Sequence, residues 1–338
     1  AAATGVVPDP DAAPRLREIP ALLDAVAAAA GQRRHDLLVQ MLYGCSPIAA
    51  KYLVRLLTGD MRIGLRDGLL EAAIAEAFGA EPNEVRWAMT LEGDAGSVAL
   101  LARRGQLGAA RLRLFHPIPP MLAAPASSAI EIVDRLAELA PQGSAAPRSA
   151  GFQVEDKYDG VRAQLHVEAG RAALYGRDLD DVSVAFPEIV AAASSCGFDG
   201  ILDGEIVAIA DGRPLPVGAL NARLGAGAAT LGEQERVPVV FVAFDALALD
   251  GTALLRAPRC ERRAALDALA LDARADSILR TATMQQVCSA EEVEAAFIRA
   301  RMRGAEGLVA KAPDAPYAVG RRSSSWLKMK HALDTLDC

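Results

Sequence analysis

The sequence predicts an α+β protein of more than one domain, a helical N-terminal part followed by a domain of mostly antiparallel sheet. Three observations carry that expectation. Up to about residue 110, Ala and Leu dominate and apolar residues recur at the helical period. From residue 151 the apolar period changes to two, with glycine turns between the runs. Helical segments then alternate with later strands, and a length of 338 residues fits two domains.

The clearest helix runs from Gly68 to Phe78, where Leu69, Leu70, Ala73, Ile74, Ala77 and Phe78 make one apolar face, with Asp67 as N-cap and Gly79 as C′ residue. A second helix is expected over Ile48–Leu57. Between the two, residues 58–66 (TGDMRIGLR) form a glycine-containing turn with Arg62 and Arg66. Residues 111–150 read as a connector with a short helix near Ile130–Leu139. Strands are expected at Phe152–Lys157, Arg162–Val167 and Ala172–Tyr175, joined by turns at Gly160 and Gly170. The β pattern continues at Ile201–Ile209, Val237–Leu247, Gly307–Ala312 and Ser325–Lys330. Helices are expected near Pro187–Ser194, Arg259–Leu269 and Ala290–Met302. The implied domains are 1–110 (helical), 111–150 (connector), 151–331 (sheet domain) and 332–338 (the start of a linker).

No apolar run approaches the ~18 residues of a membrane span, and neither terminus shows a targeting pattern, so a cytoplasmic protein is expected. The chain starts without Met and stops abruptly after His331, which suggests a piece of a longer protein. Cysteines at 45, 196, 260, 288 and 338 form no CxxC pair, which argues against structural zinc or a disulfide framework. The net charge of −7 decides little about nucleic acid, because a basic face is compatible with it.

Lysine usage is more informative. Of 36 basic residues only Lys51, Lys157, Lys311, Lys328 and Lys330 are lysines. In a chain that defaults to Arg, a retained Lys points to chemistry a guanidinium cannot do, such as nucleophilic attack by a neutral amine.

Five segments hold that chemistry. Residues 155–162 (EDKYDGVR) place Lys157 at a strand end before a glycine turn and Arg162; alone they read equally as a charged hairpin tip. Residues 202–207 (LDGEIV) set Glu205 in an apolar strand, costly unless it meets a metal, hydroxyl or cation, or lies on an exposed edge. Residues 241–245 (FVAFD) offer Phe244, which by itself would be core. Residues 306–311 (EGLVAK) flank a buried strand with Glu306 and Lys311. Residues 325–330 (SWLKMK) put Lys328 and Lys330 on one strand face, a pair that suits a phosphate.

In this order, the five segments resemble the nucleotidyltransferase motifs of the ATP-dependent DNA ligases. The likeness runs from residues 119–122 (PPML) to the C-terminus and extends back to residues 56–65, which look like the family's nick-binding helical domain. It implies an antiparallel-sheet nucleotidyltransferase domain (ATP-grasp-like, the DNA ligase adenylation domain) behind a helical DNA-binding domain. Lys157 would attack the α-phosphate of ATP, release pyrophosphate and carry AMP, which would pass to the 5′-phosphate of a nick and leave as the 3′-hydroxyl attacks. The attack requires a neutral amine, which nearby cations such as Arg162, Lys328 and Lys330 would favour. Glu155 matches the adenine-recognising position and Phe244 the base-stacking one. Arg162 and Arg177 look like ribose or phosphate contacts, with Arg322 a further nucleotide contact. Glu205 resembles the ribose- or metal-side carboxylate and Glu306 the residue that positions Mg²⁺, with Mn²⁺ as an alternative. Lys328 and Lys330 would neutralise charge on the transferring phosphoryl group; Lys311 matches the basic end of the fourth motif.

The resemblance further implies DNA contact by Arg62 and Arg66 through phosphates and the minor groove, with solvated arginines at a helical corner as the plain alternative. Nicked duplex DNA and ATP are the expected partners of a monomer close to the nucleoid, with roles in repair, replication or recombination. The family's OB-fold domain would follow Lys330, so sealing by this chain alone is expected to be impaired. An RNA ligase or mRNA-capping guanylyltransferase would lack the helical domain, and an NAD⁺-dependent ligase would add zinc-binding cysteines. A non-catalytic DNA-binding module would have no reason to keep Lys157, Glu205, Glu306, Lys328 and Lys330 together.

Overall fold

In a computed structural model the structure describes residues 14–43, 45–59, 67–139, 151–210, 212–225, 232, 236–273 and 277–330. The chain divides into two compact units, Ala1–Leu70 and Glu71–Cys338.

The first unit holds helices α1 (Ile19–Ala28), α2 (Gly31–Leu42) and α3 (Pro47–Leu57). Pro20 in the first turn of α1 costs no hydrogen bond there. Arg34 of α2 donates to the carbonyls of Val26 and Ala29, at 3.2 and 2.7 Å, and so satisfies acceptors left over at the end of α1. Ser46 caps α3 by accepting from the backbone N–H of Ala49. Helix α4 (Asp67–Phe78) spans the boundary between the units, and Gly79 ends it at φ 62° with the Ala80 N–H returning to Ala75 O, as its C′ assignment requires.

The second unit continues with α5 (Pro82–Glu92) and α6 (Ala95–Arg103), then two sheets. The first sheet runs β1 (Leu122–Pro125), β12 (Arg322–Lys330), β11 (Gly307–Lys311), β2 (Phe152–Lys157), β10 (Met284–Val287) in spatial order. The second runs β4 (Arg171–Gly176), β3 (Val161–Glu168), β5 (Gly200–Ala210), β7 (Val239–Leu249), β8 (Thr252–Ala253), with β6 (Arg213–Pro214) on β5 and β9 (Leu279–Thr281) on β7; a short helix α9 (Asn221–Gly225) lies between β6 and β7 in the chain. Pairing is antiparallel except for β1 with β12 and β7 with β9. The segment read as a connector thus supplies the edge strand β1, and α7 (Ala129–Ala137) after it covers the sheet.

Strand alternation sorts the side chains. Val154, Leu308, Ala310, Leu327 and Met329 of the first sheet face α7 and α11 (Ala290–Met302) in one core. In the second sheet Leu165, Leu202, Phe241 and Ala243 pack with Phe186 and with Ile189 of α8 (Pro187–Ser194) in another. The opposite faces carry the charged residues.

Two glycines are required for different reasons. Ala169 and Gly170, at φ 49° and 78°, make the two-residue turn between β3 and β4. Gly160 follows another rule: a Cβ there would collide with the carbonyl oxygen of Ile206 and come within 2.8 Å of Glu205 Cγ. It permits close approach of the Lys157 turn to β5.

Candidate active site

Between the polar faces lies a cleft of about 210 Å³, lined by Glu155, Lys157, Arg162, Arg177, Glu205, Phe244, Lys311, Arg322, Trp326 and Lys328 among others. The register shows how the strands assemble it. Lys157, Gly307 and Lys330 form one row across β2, β11 and β12; Glu155, Val309 and Lys328 form the next; Gln153, Lys311 and Trp326 form the third. All three rows lie on the face opposite the apolar core. Gly307 lets β11 lie close against β12, where a Cβ would collide with the Met329 carbonyl oxygen, and Glu306 beside it reaches both lysines: its Oε2 is 2.5 Å from Lys157 Nζ and 3.0 Å from Lys330 Nζ. Burial works against ionisation of Glu306, and the hydrogen bonds from Lys157 and Lys330 outweigh it, holding the carboxyl below its ordinary range.

Lys328 is pulled below the ordinary lysine range first by burial and then by Arg322, Lys157, Lys330 and Arg177. Those positive charges converge on one end of the cleft, an arrangement that suits an anion. Glu205 answers them from β5. Burial pushes its carboxyl up to about 7, against the pull of Arg162 and Lys157. Among the described residues no group of three or more His, Cys, Asp and Glu gathers at one point. Mg²⁺ characteristically uses one or two carboxylates and completes its shell with substrate phosphates and water, so Glu205 and Glu306 are compatible with it.

The other end of the cleft is aromatic. Phe244 and Trp326 meet edge to face at 6.0 Å, and Lys311 Nζ lies 4.6 and 4.2 Å from their ring centroids. Behind them, Glu155 is buried against three cations: Lys311 at 2.5 Å, Arg263 at 3.1 Å and Arg259. Burial opposes the charge of Glu155, and Lys311, Arg259 and Arg263 more than offset it, so the carboxyl is held below its ordinary range.

Arg162 points into a partnership absent from the sequence reading. Its Nε and Nη2 grip Asp203 at 3.0 and 2.7 Å, and the Tyr317 hydroxyl donates to the same carboxylate at 2.6 Å. The guanidinium also lies 5.1 Å from the Phe244 centroid. The Arg162 guanidinium is therefore fixed along one edge.

Most residues singled out from the sequence thus come together: Glu155, Lys157, Arg162, Arg177, Glu205, Phe244, Arg322 and Lys328 line one cleft, and Glu306 and Lys330 join through Lys157. Arg62 and Arg66 lie outside the described residues. Sequence reasoning missed Asp203, Tyr317, Arg259, Arg263 and Trp326. Asp203 sits two residues before Glu205 in the quoted segment, and a second acid in an apolar strand was a signal; Arg259 and Arg263 lie one helical turn apart in a segment read only as a helix.

Residues 120–330 match the model of the ATP dependent DNA ligase domain, and residues 10–75 match that of the DNA ligase N terminus. A probable DNA ligase of Opitutus terrae is 39% identical over 93% of this chain and 35% of its own length. A probable DNA ligase of Koribacter versatilis is 37% identical over 98% of this chain and 59% of its own. The chain therefore spans between a third and three-fifths of these relatives. The solved structure Pmar-Lig_PreS3 is similar in fold at a TM-score of 0.51, with 16% identity, over 93% of this chain and 63% of that one.

Proposed function

From the premise that this chain belongs to the ATP-dependent DNA ligase family, we propose that it is the nucleotidyltransferase part of a nick-sealing ligase, with Lys157 as its nucleophile. The observation that carries the reading is the row Lys157–Gly307–Lys330, with Glu306 tied to both lysines at the anion-attracting end of the cleft.

In this reading ATP lies with its base at Phe244 and Trp326 and its phosphates among Arg177, Arg322, Lys328 and Lys330. Neutral Lys157 Nζ attacks the α-phosphorus, the bond to the bridging oxygen breaks, and pyrophosphate leaves with the electron pair. The product is AMP joined to Lys157 through a phosphoramidate. Fixed cations at Lys328 and Lys330 favour the charge that builds up during transfer and need no reorganisation. Before attack the Lys157 ammonium passes a proton to the Glu306 carboxylate paired with it, which hands it on to solvent and leaves Nζ neutral. Glu205 and Glu306 are the residues that would hold Mg²⁺ or Mn²⁺, whose chemistry is to neutralise phosphate charge. Glu155 faces the base, and Arg162, braced by Asp203, supports the ribose side.

The AMP would then pass to the 5′-phosphate of nicked duplex DNA, gripped by the helical part with Arg62 and Arg66. We assign 1–110 to that helical domain and 151–331 to adenylation, with the connector 111–150 adding β1 and α7 to the adenylation sheet, in a monomer acting in the cytoplasm beside the nucleoid in repair, replication or recombination. Among the described residues, no helix is long and apolar enough to cross a membrane.

Intact-mass spectrometry before and after incubation with ATP and Mg²⁺ tests the reading. Gain of one AMP, absent in Lys157→Ala and reversed by pyrophosphate, is the expected result. No gain by this chain or by a longer form of the protein overturns it.

A further inference from the structure

The buried cations behind the base end of the cleft are too many for the acids they meet. Asp245 on β7 takes Arg262 in a two-pronged pair, both bonds 2.9 Å. Arg259, Arg263 and Lys311 all converge on the carboxylate of Glu155, with Arg259 also 3.8 Å from Asp245 and Arg263 paired with the half-exposed Asp267. Oε1 accepts from Arg259 Nη2 and from Arg263 Nη1 at 3.1 Å, and Oε2 accepts from Lys311 at 2.5 Å. All four side chains are nearly or wholly buried. A carboxylate offers about four acceptor directions. Three donors hold Glu155 rigidly, keep it ionised and leave it capacity for about one more.

The donors have further partners, although Arg259 Nε and Nη1 make no hydrogen bond among the described residues. Lys311 also approaches the Phe244 carbonyl at 3.4 Å and the two aromatic faces. Arg259 Nη2 donates in addition to the Phe244 carbonyl at 2.9 Å. Arg263 is braced by Asp267 at 2.7 Å and the Ala282 carbonyl at 2.9 Å, on the far side from the cleft. Of this group only Glu155 and Lys311 line the cleft. What the network offers a bound base is thus one fixed acceptor that has no proton to give.

We infer that Arg259, Arg263 and Lys311 are positioning residues for base selection: by pinning Glu155 as an acceptor, they make the site take a 6-amino purine and refuse a 6-oxo one. The inference rests on the proposed reading in which Glu155 faces the base. An exocyclic amine satisfies the remaining capacity of the carboxylate. In the same pose a 6-oxo group sets carbonyl oxygen against carboxylate oxygen, with no proton between them. Sites built on a required hydrogen bond reject the mismatched analogue far more strongly than sites built on shape.

Arg263 is the position to change, because it touches Glu155 but does not line the cleft. The experiment measures second-order rate constants for covalent nucleotide uptake from α-³²P-labelled ATP and ITP, which differ at the 6 position. Wild type should prefer ATP strongly. Arg263→Met, which keeps the apolar stem, should lower the ATP-to-ITP ratio by about tenfold or more, the scale of one well-placed hydrogen bond, and Arg263→Lys should restore part of it. A purely structural role would slow both nucleotides alike and leave the ratio unchanged, and that result overturns the inference. So does a wild type that takes up both nucleotides equally. If Arg263→Met fails to fold, Lys311→Met is read by the same ratio, with the same two outcomes. Absence of uptake from either nucleotide by wild type and by a longer form of the protein would instead count against the nucleotidyltransferase reading itself.

Discussion

Asp203 and Asp245 stand directly opposite each other on β5 and β7, both wholly buried. Like charges in register on neighbouring strands repel. Each is answered by its own arginine, Asp203 by Arg162 and Asp245 by Arg262, both through two-pronged bonds. Arg162 belongs to the cleft and Arg262 to α10 (Arg259–Ala268), so this pair of aspartates ties the site to the body of the domain.

Arg262→Met takes the two-pronged bond from Asp245 but leaves it Arg259 Nε at 3.8 Å, so the chain should lose about 1–3 kcal/mol, the scale of lost hydrogen bonds to a charged group. Tyr317→Phe, which removes one hydrogen bond from Asp203 and one from the Met121 N–H, should cost roughly 1–3 kcal/mol. Urea unfolding followed by tryptophan fluorescence measures both. An Arg262→Met chain as stable as wild type would mean that Arg259 alone suffices for Asp245.

Glu306→Gln separates chemistry from stability. Its ion pairs to Lys157 and Lys330 are partly exposed, and such pairs contribute about 0–1 kcal/mol, so the melting temperature should barely move. Covalent AMP uptake should fall at least tenfold, roughly 1.4 kcal/mol of barrier. Undiminished uptake would remove Glu306 from the transfer step.

Gly160→Ala should act in the opposite proportion to its size. The added methyl meets the backbone of β5 and the stem of Glu205, which cannot yield without shifting the Lys157 turn or opening the β3–β5 pairing. The expected result is a loss of about 1–3 kcal/mol in stability, as for overpacking elsewhere, together with a loss of AMP uptake. Wild-type behaviour in both assays would show that the turn has slack.

His166 makes stability depend on pH. It is fully buried, its Nδ1 accepts from the Phe115 N–H at 3.0 Å, and burial, with His116 adding to it, pulls its pKa down to about 3. An unfolded histidine titrates near 6.5. Between those values the unfolded chain binds the extra proton, so stability is complete above about pH 6.5 and declines as pH falls towards 3. Thermal melts from pH 7.5 to 4 should show that decline, and His166→Gln should flatten part of it. An identical slope in the variant would assign the decline to other groups.

Much of the fold was legible before any coordinates. Strand β2 and helices α8 and α11 fall where the period and turn signals put them, because burying one face enforces a period of 2 or 3.6 on the residues themselves. Short edge pieces were not legible. Strand β1 has four residues, too few to show a period, and exists because β12 offers it a parallel edge.

For the site, the sequence by itself determined which residues carry chemistry. Scarce lysines and acids in apolar strands stand out because burying or retaining them is costly without a purpose. Only the tertiary structure decided their partners. That Lys157 shares Glu306 with Lys330, that Arg162 is braced by Asp203, and that three cations hold Glu155 all follow from strand register and from helix α10 packing behind β7. Register and packing join residues 24 to 156 positions apart in these contacts, and the local patterns of charge and hydrophobicity along a chain do not encode which distant charge will meet which.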